Sequence, residues 1–221
     1  MQFNNIKNEK KKWVIYRLIY CLGIYCFFVL LYFIMNNIHP LPLVVLVPIV
    51  LVVFIILLNQ DAKTFKGIEE FNKQNYDYVF QNRKSIIRLN ALSLEKLGAV
   101  AVLGSAFNLK EDDYFLELIH KMRVVPSDRM LVIKAVTFFY YYMYCVVKND
   151  LATAEKIFNE NKVILTRMTT IKNQAFKVDV LKLQRLMELM NRFSSKSISN
   201  EEKMELENIV IDVRIKEFIA S

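Results

Sequence analysis

The chain has 221 residues, a formal charge of +8 and 54% hydrophobic residues, with a mean hydropathy of +0.24. The charge forms no basic stripe: five Lys and Arg face the single Glu9 in residues 1–60, and twenty-five face twenty-one acidic residues in 61–221, so no nucleic-acid partner is expected. Three cysteines at positions 21, 26 and 145 have neither metal-ligand nor disulfide-framework spacing, which points to a reducing compartment.

Residues 18–35 and 41–58 are two stretches of eighteen residues without a charge, close to the ~20 mostly apolar residues that a membrane-crossing helix needs. They predict a transmembrane hairpin over residues 1–60, with spans at about 13–35 and 41–58. Trp13 and Tyr16 suit the headgroup level, and Arg17 reads as an end-marker whose guanidinium snorkels to water. Pro42 falls where a helix start tolerates a missing N–H, and Pro48 predicts a local kink. A cleaved signal peptide fits poorly, because the first apolar stretch exceeds ~15 residues and no small-x-small site follows it.

Orientation follows from the cations. Lys7, Lys10, Lys11 and Lys12 precede the first span and Lys63 and Lys66 follow the second, while the connection Asn36-Asn37-Ile38-His39-Pro40 has neither Lys nor Arg. That bias predicts a multi-pass cell-membrane protein with both termini in the cytoplasm. Lys10, Lys11 and Lys12 are the candidates for contact with lipid headgroups.

Residues 61–221 have one domain's length, and their apolar residues recur at three- and four-residue spacing with no alternation that favours a sheet. Polar breaks fall at 74–77, 110–113, 148–150 and 194–199, each with an Asn, Asp, Glu or Ser able to cap the next helix. Ser199 and Glu202 have the spacing of a capping box. With a further turn at Val125-Pro126-Ser127-Asp128, the punctuation predicts about four consecutive helical hairpins.

Residues 138–158, FFYYYMYCVVKNDLATAEKIF, resemble a tetratricopeptide-type repeat. Phe138 lies where that family has a large aromatic, Ala154 where it has its small packing residue, and Phe158 follows four positions on. Tyr142 stands where the family has Gly, and the Pro that ends its repeat is missing. The resemblance implies an all-α chain whose cytoplasmic domain is a right-handed helical-repeat array, and it carries over no ligand-clamp residues. Residues 130–147 hold one charge, Lys134, and admit two readings. One is a third span; the other is a buried central helix, favoured because Lys134 and three tyrosines would otherwise sit deep in hydrocarbon.

No nucleophile, acid–base pair or metal cluster stands in a plausible constellation, so neither an enzyme nor a cofactor is expected. His39 and His120 fall on opposite sides of the membrane in this topology, and His120 reads as a helix terminus. Glu111, Asp112 and Asp113 read as charges at a helix N-terminus, as does Asp150. Glu201, Glu202, Glu205 and Glu207 read as the solvated face of the last helix, with an acidic docking surface as the alternative. Tyr140, Tyr141 and Tyr144 are the candidates for a groove that binds a protein or peptide. The expectation is a membrane-anchored scaffold or adaptor at the cytoplasmic face of a bacterial membrane. The alternative is an accessory or immunity-type protein whose spans, around Cys21, Gly23 and Cys26, contact a transporter or toxin peptide.

Overall fold

A computed structural model describes residues 6–34, 41–87, 93–123, 131–170 and 180–221. Among the described residues every regular element is a helix: α1 (Ile6–Ile34), α2 (Leu41–Asn72), α3 (Tyr76–Gln81), α4 (Arg83–Ile86), α5 (Ser93–Asn108), α6 (Asp112–Arg123), α7 (Leu131–Val147), α8 (Leu151–Thr170), α9 (Val180–Ser194), α10 (Asn200–Ile209) and α11 (Val213–Ala220). The turns expected at 36–40 and 125–128 lie outside the described residues.

α1 and α2 lie side by side and are long and apolar enough to cross a membrane. Their large side chains point outward: Ile15, Ile19, Phe27, Leu30 and Phe33 on α1, and Ile49, Leu51, Val52 and Ile55 on α2, are each more than half exposed. A core helix of a soluble protein would bury such residues, and a contiguous exposed patch of this kind marks an apolar surrounding or an interface. Pro48 lies within α2, which continues on both sides of it.

The domain boundary expected at residue 60 falls inside α2. No Pro or Gly interrupts the chain between Leu58 and Lys66, so the helix runs on to Asn72 and its last turns bury Phe65, Ile68 and Phe71 in the domain core. Arg17 also departs from expectation. Its guanidinium is buried, 6% exposed, against Asp61 of α2, 6% exposed, because a charge between two helices is more stable paired than reaching past its neighbour to water.

The four polar breaks all end a helix by the same device. Gln74, Lys110, Asn149 and Lys196 have positive φ of 62, 61, 60 and 55°. Each donates its N–H three residues back, to Phe71, Phe107, Val146 and Phe193, and the next N–H reaches five back, to Glu70, Ala106, Cys145 and Arg192. This is the Schellman closure, which satisfies carbonyls that a helix end leaves open. Capping of the following helix comes from Asn75, which accepts from Tyr78 N, from Asp150, which accepts from Thr153 N, and from the Ser199–Glu202 capping box.

α5 and α7 form the centre of the domain. Every residue from 97 to 108 is buried, which small side chains permit: a Cβ on Gly98 would stand 2.7 Å from the carbonyl oxygen of Ile86. In α7, thirteen of seventeen residues are buried, with Lys134 exposed. The neighbours around it are α5, α6, α8, α9 and α11, so α7 is enclosed by protein, the favoured one of its two readings. The final segment differs too: α11 follows α10, so the acidic run at 201–207 is not on the last helix.

Candidate functional site

The N-terminal turns of α1 carry the three lysines expected to meet lipid headgroups. Lys10, Lys11 and Lys12 are exposed. Lys12 Nζ lies 2.8 Å from Glu9 Oε1, and Glu9 is buried beneath it. One turn and a half further on, Arg17 meets Asp61, with Trp13 beside the guanidinium at 5.9 Å. Lys63 and Lys66 are exposed on α2, and Lys66 sits 5.0 Å from the ring of Tyr78. Cations from both helices thus gather at one end of the pair.

The three tyrosines nominated for a groove occupy different environments. Tyr140 is 0% exposed, and its hydroxyl donates to Asp212 Oδ1 at 3.1 Å. That placement corrects its reading as a surface anchor: the residue belongs to the interior, where burial and the neighbouring Asp212 push its phenol well above the ordinary range. Tyr144 is half-buried and stacks on Phe115 with ring centroids 5.0 Å apart. Tyr141 is half-buried and packs against the core.

Tyr140 and Tyr144 do touch a peptide segment, and it is the chain's own C-terminus. Asp212, buried, accepts from Asn108 Nδ2 at 2.9 Å as well as from Tyr140. The Asn108 oxygen in turn accepts from the backbone N–H of Arg214 at 3.3 Å. Arg214 is also buried; its Nη1 donates to the Phe107 carbonyl at 3.1 Å and to Asp112 Oδ1 at 2.7 Å. The guanidinium lies 5.0 Å from the ring of Phe107 and 5.6 Å from that of Tyr144. Ile215 and Ile219 are buried behind it, and Phe218 meets Phe193 of α9 at 5.9 Å.

Asp112 lies in the first turn of α6, as its helix-terminus reading requires. It also accepts a second cation, Lys148 at 2.7 Å. Burial pushes its carboxyl up, but the hydrogen bonds from Arg214 and Lys148 outweigh that and hold it below the usual carboxylate range. The acidic run at 201–207 is partly engaged by α9. Glu205 takes both ends of the Arg185 guanidinium, at 2.9 and 2.6 Å, and its carboxyl is lowered by those hydrogen bonds. Glu202 pairs with Arg192 while serving in the capping box.

Asp61, Asn108, Asp212 and Arg214 escaped the sequence reading. The available signal was polarity out of place: Asn108 closes an apolar helix, and Asp212-Val213-Arg214 lies between Ile211 and Ile215. His120 is exposed on α6, and among the described residues no group of His, Cys, Asp and Glu could hold a metal ion. Comparison with known protein families, with curated proteins and with solved structures finds no match to this chain.

Proposed function

We propose that this chain is a membrane-anchored helical-repeat adaptor, which holds a binding domain at the cytoplasmic face of a bacterial membrane and acts by recruiting a protein or peptide rather than by catalysis. The observation that carries the reading is the continuity of α2, whose outward apolar surface up to Ile56 leads without a break to Phe65, Ile68 and Phe71 in the domain core. Anchor and domain share one rigid rod. Confinement to a surface raises the effective concentration toward other membrane components.

The cation placement supports the same geometry. At ~1.5 Å per residue, Lys12 lies about 8 Å and Lys10 about 11 Å outward from Arg17. That is within or just beyond the headgroup layer outside a ~30 Å hydrocarbon core. The four similar turns support a repeat array, as does the α7–α8 hairpin, where Ala154 is buried and Tyr142 meets Phe158 at 5.8 Å.

A second reading is favoured by Gly23, where an added Cβ would meet nothing within 4 Å, and by the exposed Cys26. These small residues face outward on α1, where a transporter or toxin peptide could approach. The two readings separate in one experiment. Photo-crosslinking in intact membranes is performed on the natural chain and on a chimera in which residues 1–58 are replaced by an unrelated two-span anchor. An adaptor keeps its crosslinked partner in the chimera; a span-mediated protein loses it. Labelling of a cysteine placed near Ser221 by an impermeant reagent applied outside intact cells would overturn both the topology and the adaptor reading.

A further inference from the structure

We infer that the surface formed by the end of α5 and the middle of α7 is the domain's peptide-binding site, and that the C-terminal segment 210–221 is a built-in occupant that a partner peptide of the same chemistry displaces. The inference rests on the adaptor reading and names the partner chemistry of that domain. Its basis is the manner in which the segment is held.

The chain leaves α10 at Ile209 and is extended at Val210 and Asp212 before α11 begins. The segment's recognition is polar and directional. Asn108 reads both a side chain and a backbone group of the segment, donating to Asp212 and accepting from Arg214 N–H. Tyr140 supplies a second donor to Asp212. Arg214 is received by a carbonyl, by the Asp112 carboxylate and by the faces of two aromatic rings. Ile215 and Ile219, one helical turn apart, fill the apolar part of the seat.

A segment that served packing alone would be held as well by apolar side chains, since buried charges gain little net stability over hydrophobic replacements of the same shape. What buried, paired charges supply here is selectivity, because a peptide lacking the acid leaves the Tyr140 hydroxyl without its acceptor, and one lacking the Arg gives up the hydrogen bonds to the Phe107 carbonyl and to Asp112. The matching partner is therefore a helix-opening segment with Asp at its first position, Arg two residues later, and branched apolar residues three and seven residues after the Asp. An intramolecular occupant also keeps the site closed until such a partner competes at high local concentration.

The test uses the full chain in nanodiscs with a protease site inserted between Ile209 and Val210, so that folding is complete before the segment is freed. A fluorescein-labelled peptide of residues 210–221 is the probe, read by anisotropy. The expected result is no binding to the uncut chain, saturable binding after cleavage, and at least tenfold weaker binding of the D212A and R214A peptides. Uncut chain carrying Asp212→Ala and Arg214→Ala in its own segment should admit the natural peptide, because only the resident segment has then lost its hydrogen bonds to Asn108, Tyr140 and Asp112. Equal binding by cut and uncut chain, binding of a scrambled peptide, or loss of helical circular dichroism on cleavage would each overturn the inference; the last makes the segment an inseparable part of the core. A membrane crosslink that survives such a failure, mapped to another face, leaves the adaptor reading standing.

Discussion

Arg17 and Asp61 stand forty-four positions apart and hold each other through two hydrogen bonds, Nε to Oδ2 at 2.7 Å and Nη2 to Oδ1 at 2.8 Å. Both side chains are 6% exposed, so neither charge can turn to water if the other is removed. The pair closes the α1–α2 contact where the outward apolar surface ends, and it fixes the register of the two helices.

Removing one member strands the other. Asp61→Asn or Arg17→Met is expected to destabilise the α1–α2 hairpin by about 3–5 kcal/mol, the usual consequence of an uncompensated buried charge. The double variant Arg17→Met with Asp61→Leu should recover most of that. Resistance of the purified chain to denaturant in micelles measures both, and a double variant as weak as the singles would show that the pair does not act as a unit.

Asp112 makes the fold sensitive to acid. Its carboxyl is held below its unfolded value of ~4 because the Arg214 and Lys148 hydrogen bonds outweigh burial. A group depressed in this way contributes stability that is complete above the unfolded value and lost as pH falls through the folded one. Melting temperature recorded from pH 7 to pH 3 should therefore drop in the natural chain, with a shallower drop in Asp112→Asn, which starts lower at neutral pH.

The glycines divide by what surrounds them. Gly98→Ala drives a methyl to 2.7 Å from the Ile86 carbonyl oxygen and 2.9 Å from the Thr64 methyl, and overpacking of this kind costs about 1–3 kcal/mol. Gly23→Ala meets open space and should fall within about 0.5 kcal/mol of the natural chain. Gly23→Leu carries the functional question: if the spans bind a second helix, it abolishes that crosslink while melting stays unchanged.

Three helix ends, at Gln74, Lys110 and Lys196, carry removable strain, and two of them serve as tests. Gln74 and Lys196 adopt left-handed backbone at φ 62 and 55°, a conformation that disfavours a side chain by about 1–2 kcal/mol. Replacing either by Gly relieves the conflict against an entropic loss of roughly 0.5–1 kcal/mol, so each change should raise the melting temperature slightly. Asn149, φ 60°, should gain less, since Asn tolerates this region. Gln74→Val should lower stability at the same site.

Features written in local chemistry were legible in the amino-acid order. The breaks at 74, 110, 149 and 196 were, because capping groups and turn-forming residues act on neighbours within five positions. The two apolar helices were also legible, since length and lack of charge are local sums. Contacts joining distant parts of the chain were not. Arg17 read as a snorkelling end-marker because nothing near it discloses a carboxylate on the next helix. Tyr140 read as a surface anchor because an all-round aromatic run does not say which side its neighbours will cover; the Asp212 that meets it lies seventy-two positions away, just before the short α11. The boundary at residue 60 followed a change in composition, whereas a helix responds to breakers, and none stands there.

The unbroken rod from Leu41 to Asn72 has a mechanical consequence. A helix of 32 residues is about 48 Å long, and spans tilt to match the thickness of the lipid around them. If α1 and α2 anchor the chain as proposed, the continuous helix between anchor and core turns each degree of tilt into a swing of the whole domain toward or away from the bilayer surface. In the proposed anchored state, lipid thickness would then set the height at which the domain presents itself.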